Sequence, residues 1–205
     1  MKVEAYCDSR QGADHFENED AILFNKKKNL FAIADGVTLP FGGKEASTRS
    51  VKYLNKFFAG DLEEAFEKVN AKILEDKEKN PAIGYTTLVA AHIKNDKTVE
   101  IASVGDSRAY LINHGIELLL APSLNSVIGQ QKILIDVWKH KLDPTEIIML
   151  CTDGVINVVK EDEIEKIVKS NSMRDAIVKI LDVAENRPTS YNDDKTIILL
   201  KLKDI

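Results

Sequence analysis

The chain has 205 residues, of which 44% are hydrophobic and 30% are charged, and its formal net charge at pH 7 is −5. This composition is ordinary for one globular domain and too apolar for a disordered chain. The negative charge argues against nucleic acid, because nucleic acid binds clustered Lys and Arg. No apolar run has the length of a signal-peptide core or a membrane span. We therefore expect a soluble cytoplasmic monomer without a membrane partner.

The two cysteines, Cys7 and Cys151, lie in separate apolar, strand-like stretches. Neither has a partner at the spacing typical of metal sites, and a disulfide framework normally needs more cysteines in a smaller chain. We interpret both as free thiols in a reducing compartment, which agrees with a cytoplasmic location.

Apolar runs of strand length occur along the whole chain, and several are continuous, as in strands covered on both faces. In chain order they predict strands at Val3–Cys7, Ala21–Phe24, Leu30–Ala34, Thr87–Ile93, Val99–Val104, Ala109–Ile112, Ile133–Trp138, Ile147–Cys151 and Thr196–Leu202. Helical periodicity predicts four helices, at Lys44–Phe58, Asp61–Leu74, Glu161–Lys169 and Met173–Ala184.

Asp61 and Ser172 are the predicted N-caps of the second and fourth helices. The order of the elements is strands, two helices, many strands, two helices and one last strand. A doubly wound sheet would alternate strands and helices regularly, and this chain does not. The order predicts an α+β fold with two mainly antiparallel sheets and a helix pair on each outer face, in one domain spanning residues 1–205.

Carboxylates recur where the apolar runs begin or end. The pairs are Glu19-Asp20, Asp35-Gly36, Gly105-Asp106, Asp153-Gly154 and Asp193-Asp194. At any one of these places alone, an acid or an Asp-Gly pair most often marks a turn. Five such places in one small domain favour a different interpretation. Packed strands converge at their ends, so acids placed there can project into one crevice.

Converging carboxylates repel each other, and their burial without partners is costly. Divalent cations remove that cost, and oxygen ligands without His or Cys favour Mg²⁺ or Mn²⁺ over zinc. Two such ions can polarise a phosphoryl oxygen and activate a water molecule at neutral pH. Gly36 has no side chain and can offer its carbonyl as a further ligand.

Short motifs surround these acids in a fixed order: Asn18-Glu19-Asp20, Ala34-Asp35-Gly36, Gly43-x-x-Ala46-Ser47, Thr86-Thr87, Gly105-Asp106-Ser107-Arg108, Thr152-Asp153-Gly154 and Asp193-Asp194-x-Thr196. Their order and spacing, from about Gly12 to Leu200, resemble the PP2C-type (PPM) metal-dependent Ser/Thr protein phosphatases. The ending Asp-Asp-x-Thr also resembles the bacterial stage-II-sporulation and stress-regulator branch, whose members act on small phosphoserine proteins. The resemblance implies an αββα sandwich, in agreement with the order of the elements.

The resemblance also implies two Mn²⁺ or Mg²⁺ ions and a role for each matching residue. Asp35 should bridge the two ions, and Asp20 corresponds to the acid that orients the attacking water. Asp106 corresponds to a residue near an optional third ion. The other implied ligands are the Glu19 carboxylate and the Gly36 carbonyl on one ion, and the Asp153 and Asp193 carboxylates on the other.

One departure from the family concerns the phosphate. The family usually has an Arg five residues before the Asp of the first motif, where it clamps the substrate phosphate. This chain has His15 there. A protonated His can contact phosphate, but it lacks the bidentate guanidinium fork. A plain surface role for His15, with Arg10 or Arg49 as the clamp, is the open alternative.

Other departures surround the metal motifs. Asn157 replaces the acid usually found four residues after Asp153, and a neutral amide is a poorer ligand, so we expect a third ion to be absent or to bind more weakly. Tyr85 replaces the Gly before the paired threonines; a bulky ring there can alter packing or plug a crevice, and we favour a position in the core. The segment between Tyr110 and Ile147 is short, which predicts a reduced flap beside the site.

We therefore expect a hydrolase that removes phosphate from phosphoserine or phosphothreonine of a protein substrate by water activated by two metal ions. The alternative is a degenerate, catalytically weak module that binds phosphoproteins or regulates them. His15, Tyr85 and Asn157 favour that alternative, and the complete set of metal carboxylates opposes it. A nucleotide-binding role for Gly42-Gly43-Lys44 has little support, because the flanking residues do not match a P-loop.

Overall fold

A computed structural model of the chain describes residues 2–37 and 41–203. The strands are β1 (Lys2–Arg10), β2 (Ala21–Asn25), β3 (Leu30–Ala34), β4 (Gly36–Val37), β5 (Tyr85–Thr86), β6 (Leu88–Ile93), β7 (Thr98–Val104), β8 (Arg108–Ile112), β9 (Ile116–Leu118), β10 (Asp136–Lys141), β11 (Ile147–Cys151) and β12 (Lys195–Lys203). The helices are α1 (Gly43–Phe57), α2 (Leu62–Lys79), α3 (Asp153–Ile156), α4 (Glu161–Ser170) and α5 (Met173–Asn186).

The strands form two large sheets and one short ribbon. Sheet A has the order β1-β12-β11-β8-β9, sheet B has the order β10-β7-β6-β3-β2, and β4 pairs with β5. All of these pairings are antiparallel. The predicted α+β class with two mainly antiparallel sheets is confirmed.

Strand β3 shows how sheet B is covered on both faces. Leu30, Ala32 and Ala34 belong to an apolar cluster that includes residues of α1 and α2. Phe31 and Ile33, which point to the opposite face, belong to a second cluster shared with sheet A. Because side chains alternate along a strand, burial on both faces makes the whole run apolar.

Strand β12 repeats this arrangement in sheet A. Ile198 and Leu200 belong to the cluster between the sheets, whereas Ile197 and Leu199 pack in a third cluster with α4 and α5. The layers are therefore α1 and α2, sheet B, sheet A, and then α4 and α5. This is the αββα sandwich that the family resemblance implied.

The helix ends follow local hydrogen-bonding rules. The Asp61 carboxylate accepts a hydrogen bond of 2.9 Å from the backbone N–H of Glu64, and Ser172 Oγ accepts one of 3.2 Å from the backbone N–H of Asp175. Both predicted N-caps are confirmed. Within residues 2–37 and 41–203, no helix is long and apolar enough to cross a lipid bilayer.

The predicted strand at Ile133–Trp138 is displaced. Pairing with β7 begins at Asp136 and continues to Lys141. Ile133 and Ile135 instead pack beside the cluster under α1 and α2, so their apolar character reflects a partly buried loop. The short strands β4, β5 and β9 and the single turn of α3 were not predicted, because two to four residues are too few to show a period.

Candidate active site

Strand register brings the predicted acids to the same end of the sandwich. In sheet B, Ala21 pairs with Ala34, so Asp20 and Asp35 extend from neighbouring strand ends. In sheet A, Cys151 pairs with Ile197, so the residues after β11 lie beside those before β12. The two sheets pack face to face through a shared apolar cluster, and hydrogen bonds from Thr152 and Thr196 to Asp20 join these two ends.

The pKa shift of Asp35 indicates that these acids lie close together. Burial raises the pKa of Asp35 well above its ordinary value, and the neighbouring negative charges raise it further. Those charges, in decreasing order of effect, are on Asp20, Asp153, Asp193 and Asp106. Acids separated by more than a hundred residues in the sequence therefore surround Asp35.

The paired threonines hold the backbone of Asp35. Its carbonyl accepts hydrogen bonds from Thr86 Oγ1 at 2.7 Å and from the backbone N–H of Thr87 at 2.8 Å. Its N–H donates to Thr87 Oγ1 at 3.1 Å. The next residue, Gly36, lies so close to α1 that an added Cβ would meet the carbonyl carbon of Gly43 at 2.5 Å. The paired threonines therefore fix the backbone of Asp35, and the close approach to α1 explains the Gly at position 36.

Asp20 is 5% exposed, and the threonines of two other motifs bind one of its oxygens. Asp20 Oδ2 accepts hydrogen bonds from Thr196 Oγ1 at 2.5 Å and from Thr152 Oγ1 at 3.2 Å. Asp20 Oδ1 is buried without a hydrogen-bond partner among the described residues. Burial is the main reason that the pKa of Asp20 rises to about 7; the Thr196 hydrogen bond lowers it, and the charge of Asp194 adds to the rise.

The start of α1 fastens the segment that carries Glu19. Ser47 Oγ donates to the carbonyl of Glu19 at 2.5 Å. Lys44 Nζ donates to the carbonyls of Asn18 at 2.5 Å and Asp20 at 3.2 Å. The motif around Gly43 thus positions the Asn-Glu-Asp backbone. Lys44 is committed to these carbonyls, which argues against the nucleotide-binding alternative.

The second group of acids is held by side chains. Tyr191 Oη lies 2.5 Å from Asp153 Oδ2 and 3.0 Å from Asp193 Oδ2. Asn157 Nδ2 donates to the same Asp153 oxygen at 3.2 Å. Burial raises the pKa of Asp153, the hydrogen bond from Tyr191 lowers it, and the charges of Asp106 and Asp193 raise it further. No sequence signal pointed to Tyr191.

Asp194 is a further organising residue, to which its sequence context assigned no role. It is 2% exposed. Its carboxylate accepts hydrogen bonds from the backbone N–H groups of Gly12 and Glu19, both at 2.7 Å, and contacts His15 Nδ1 at 2.8 Å. Asp194 therefore ties the loop before β2 to the start of β12. Its only sequence signal was its place beside Asp193 in the last motif.

His15 lies against the acids. Its side chain is 12% exposed, and Nε2 lies 3.4 Å from Asp193 Oδ1. Burial lowers the pKa of His15, but the hydrogen bond to Asp194 and the charges of Asp194, Asp193 and Glu19 outweigh burial and raise it. The protonated form is thus favoured. His15 is not an isolated surface residue.

The two arginines considered as substitute clamps have other partners. Arg10 forms ion pairs with Asp182 and Glu185 on α5. Arg49 pairs with Glu45 and Asp76 on α1 and α2. Each guanidinium is held by carboxylates of the outer helices. Both arginines therefore already have partners on the outer helices.

Tyr85 does not enter the core, contrary to our prediction. Its ring is half-buried, and Lys77 Nζ lies 3.2 Å from the ring centroid, in a cation–π contact. The ring faces a cavity of about 270 Å³ that adjoins Asp106. Ser123, Leu124, Val127 and Gln130, from the segment between β9 and β10, also line this cavity.

The acids meet the physical requirements of a cation site. Asp20 Oδ1 and Asp153 Oδ1 are both buried and without hydrogen-bond partners among the described residues. In residues 2–37 and 41–203, no Lys, Arg or His forms an ion pair with Asp20, Asp35 or Asp153. Buried carboxylates without cationic partners are stabilised by coordination to metal ions. The all-oxygen donor set fits a hard divalent cation.

The αββα sandwich and its cluster of acids place the chain in the class of PPM-type phosphatases. Comparisons with known proteins agree with this class. The family model described as Stage II sporulation protein E (SpoIIE) matches residues 44–203, and the chain belongs to this family. It is 26% identical to the serine/threonine phosphatase stp of Listeria monocytogenes (serotype 4b, strain F2365), in an alignment covering 100% of this chain and 97% of that protein.

Two solved structures show the same fold. The Mycobacterium tuberculosis serine/threonine phosphatase PstP/Ppp superposes with a TM-score of 0.89 at 18% identity, with 100% of both chains covered. The serine/threonine phosphatase Stp1 from Staphylococcus aureus has a TM-score of 0.87 at 23% identity, covering 100% of this chain and 96% of that one. The predicted resemblance and the predicted fold are both confirmed.

Proposed function

We propose that the protein removes phosphate from phosphoserine and phosphothreonine in protein substrates, using water activated by two divalent cations, Mn²⁺ or Mg²⁺. Its family and its likeness to named serine/threonine phosphatases support the reaction class. Residues 1–205 are proposed to act as a single catalytic domain with a short flap. The proposed ligands are Glu19, Asp35 and the Gly36 carbonyl on one ion, and Asp35, Asp153 and Asp193 on the other.

One observation carries the proposal: buried and partly buried carboxylates converge from both sheets, and one oxygen each of Asp20 and Asp153 has no hydrogen-bond partner among the described residues. Burial raises the pKa of Asp20, Asp35 and Asp153. Such a cluster destabilises the folded chain when its members are ionised, unless positive charge is present. A protein retains a destabilising cluster of this kind where function requires it.

When bound, the cations would supply positive charge that lowers the pKa of water and polarises a phosphoryl oxygen. Asp20 is placed to orient the attacking water. Its Oδ2 is already bound by Thr196 and Thr152, so the buried Oδ1 is the atom left to accept a hydrogen bond from water. Oxygen atoms held in this way pre-organise the site before substrate arrives.

His15 is the proposed phosphate contact. Because Asp194 binds Nδ1, the imidazole ring is oriented with Nε2 toward Asp193. The raised pKa favours the positive charge that a phosphoryl oxygen would bind. His15 offers one donor where an Arg would offer a fork, so substrate binding is proposed to be weaker than with Arg.

No observation favours the degenerate regulatory module. The acids that such a module could have lost all converge on the crevice. Asn157, which we expected to weaken a third ion near Asp106, donates to Asp153 instead. We therefore propose a two-ion site, with a third ion at Asp106 only as a weak addition.

The cytoplasm is the proposed compartment. Cys7 and Cys151 are free cysteines, and Cys151 is buried in sheet A. Free thiols in strands agree with reducing surroundings. We propose that the protein is a monomer and that its partner is a phosphorylated protein substrate.

The test is hydrolysis of para-nitrophenyl phosphate and of a phosphothreonine peptide with Mn²⁺, Mg²⁺ or EDTA. We expect turnover with a metal ion and none with EDTA. Asp153→Asn should lower kcat by about 1,000-fold or more, because it removes a ligand charge while retaining the side-chain shape.

Asp162→Asn is the matched control, because Asp162 is an exposed acid paired with Lys166 on α4. It should retain wild-type turnover. Absence of turnover with both metal ions at micromolar enzyme would contradict the proposed function. Full activity in Asp153→Asn would contradict the ligand assignment alone.

A further inference from the structure

Tyr191 joins two acids that lie far apart in the sequence. It lies in the segment between α5 and β12, and its hydroxyl contacts Asp153 Oδ2 at 2.5 Å and Asp193 Oδ2 at 3.0 Å. These two carboxylates are the proposed ligands of the same ion. A hydroxyl has one proton to donate, and the shorter contact is to Asp153, so Asp153 is its main acceptor.

Asp153 has a second donor on the same oxygen. Asn157, one helical turn later, donates from Nδ2 to Asp153 Oδ2 at 3.2 Å. Asp153 Oδ1, by contrast, is buried and has no hydrogen-bond partner within residues 2–37 and 41–203. The two oxygens of the Asp153 carboxylate therefore differ in their hydrogen bonding. Tyr191 and Asn157 hold Oδ2, and Oδ1 is left for another ligand.

Asp193 is held from the other side. Its Oδ1 accepts a hydrogen bond of 2.8 Å from the backbone N–H of Asp194. Its Oδ2 faces Tyr191. The hydroxyl therefore lies between two like charges and holds them in one relative orientation. A polar donor at this point also reduces the repulsion between the two carboxylates.

We propose that Tyr191, assisted by Asn157, is a positioning residue for the second cation, holding Asp153 and Asp193 in the orientation that binds it. The inference rests on the proposed function, because it requires the ion that these acids would bind. Side chains that donate hydrogen bonds to metal ligands fix the orientation of those ligands. Their mutation changes metal affinity by about 10- to 100-fold. Tyr191 acts through the two carboxylates and does not contact the reacting atoms.

The experiment is calorimetric titration of Mn²⁺ into metal-free protein. Tyr191→Phe should weaken one of the two Mn²⁺ sites by about 10-fold and leave the other within about 2-fold of wild type. Its turnover should fall at low Mn²⁺ and recover when Mn²⁺ is raised. Recovery by metal separates a positioning role from a direct role in chemistry.

Tyr53→Phe is the matched control. Tyr53 also donates its hydroxyl to a carboxylate, that of Asp76, but between α1 and α2. Tyr53→Phe should leave both Mn²⁺ affinities unchanged. A second variant, Asn157→Ala, removes the other donor from an exposed side chain, where folding is not at risk. It should weaken the same Mn²⁺ site by about 3-fold.

The outcomes separate the two proposals. Wild-type protein that binds Mn²⁺, together with a Tyr191→Phe variant of equal affinity, would overturn the positioning role alone. Tighter binding by Tyr191→Phe would also overturn it, since the hydroxyl would then compete with the ion. If wild-type protein binds no Mn²⁺, the proposed function falls and the positioning role falls with it.

Discussion

The two sides of the acidic crevice are built in different ways. On the sheet side, Asp20 and Asp35 extend from paired strand ends, and threonines of three motifs hold them. On the loop side, the side chain of Asp194 orients His15, and the Tyr191 hydroxyl and the Asp194 backbone N–H orient Asp193. Register therefore positions the sheet side, whereas contacts specific to this chain position the loop side. We therefore expect substitutions on the sheet side to have large effects and substitutions on the loop side to have smaller ones.

The largest effect should come from the sheet side. Asp35→Asn should lower kcat/KM by about 1,000-fold or more, because the proposed bridging ligand loses its charge. The same change should raise the free energy of unfolding of metal-free protein by about 1–3 kcal/mol, since it removes a buried charge repelled by its neighbours. Thermal unfolding in EDTA and steady-state kinetics measure the two effects.

Asp162→Asn again serves as the control and should change neither quantity. Opposite signs for activity and stability would identify Asp35 as a residue kept for function at a cost in stability. A less stable Asp35→Asn protein would show that the carboxylate mainly supports the fold.

The next effect also concerns the acids at the strand ends. Without metal, Asp20 has a pKa of about 7 in the folded protein, above the value near 4 expected when unfolded. The folded state therefore binds the proton more tightly, and its stability is greatest at low pH and falls as pH rises through 7. We expect a loss of about 1–3 kcal/mol between pH 5 and pH 8, measured by urea unfolding in EDTA.

Saturating Mn²⁺ should remove this loss, because the cation takes the place of the protons. Asp35 and Asp153, whose pKa values are also raised, contribute in the same direction. Constant stability over this pH range in EDTA would mean that the acids do not share one buried crevice.

A smaller effect should follow from the threonine that binds Asp20. Thr196→Val removes the 2.5 Å hydrogen bond to Asp20 Oδ2 while retaining the shape of the side chain. We expect kcat to fall by about 10- to 100-fold and stability by about 1–2 kcal/mol. Thr145→Val is the matched control, because Thr145 Oγ1 donates to an exposed acid, Asp143. Comparable losses in both variants would remove the special role of Thr196.

The smallest effect should come from the loop side. His15→Arg should lower KM by about 3- to 10-fold with kcat within about 2-fold, because the guanidinium offers two donors to phosphate. Phe16→Arg adds the same charge at the neighbouring, fully exposed position and should leave KM unchanged. An unchanged KM in His15→Arg would mean that residue 15 does not face the phosphate.

Much of the sheet side could be predicted from the sequence. A strand buried on both faces must be apolar throughout, so β3 and β11 were predicted with their observed bounds. The acids at the ends of such strands stand out against the apolar runs. Their metal-binding roles came from the family resemblance and remain predictions.

The loop side could not be predicted in the same way. Tyr191 has no periodic or motif context, and Asp194 was visible only as the neighbour of Asp193. The apolar pattern likewise misplaced β10, because Ile133 and Ile135 are buried from a loop. Tyr85, predicted to lie in the core, instead borders the cavity beside Asp106. Such contacts depend on where loops meet, which local periodicity does not encode.

The sequence by itself determined the layered fold and the acids at its strand ends. Strands buried on two faces are apolar throughout, so charged residues at their ends are recognisable from the sequence. Only the tertiary structure determined which oxygen of Asp20 and of Asp153 accepts hydrogen bonds from side chains. Asp20 and Asp153 each have one bound oxygen and one buried oxygen without a hydrogen-bond partner in the part of the chain that the structure describes. Thr196, 176 residues from Asp20, and Tyr191, 38 residues from Asp153, create that difference once the chain has folded.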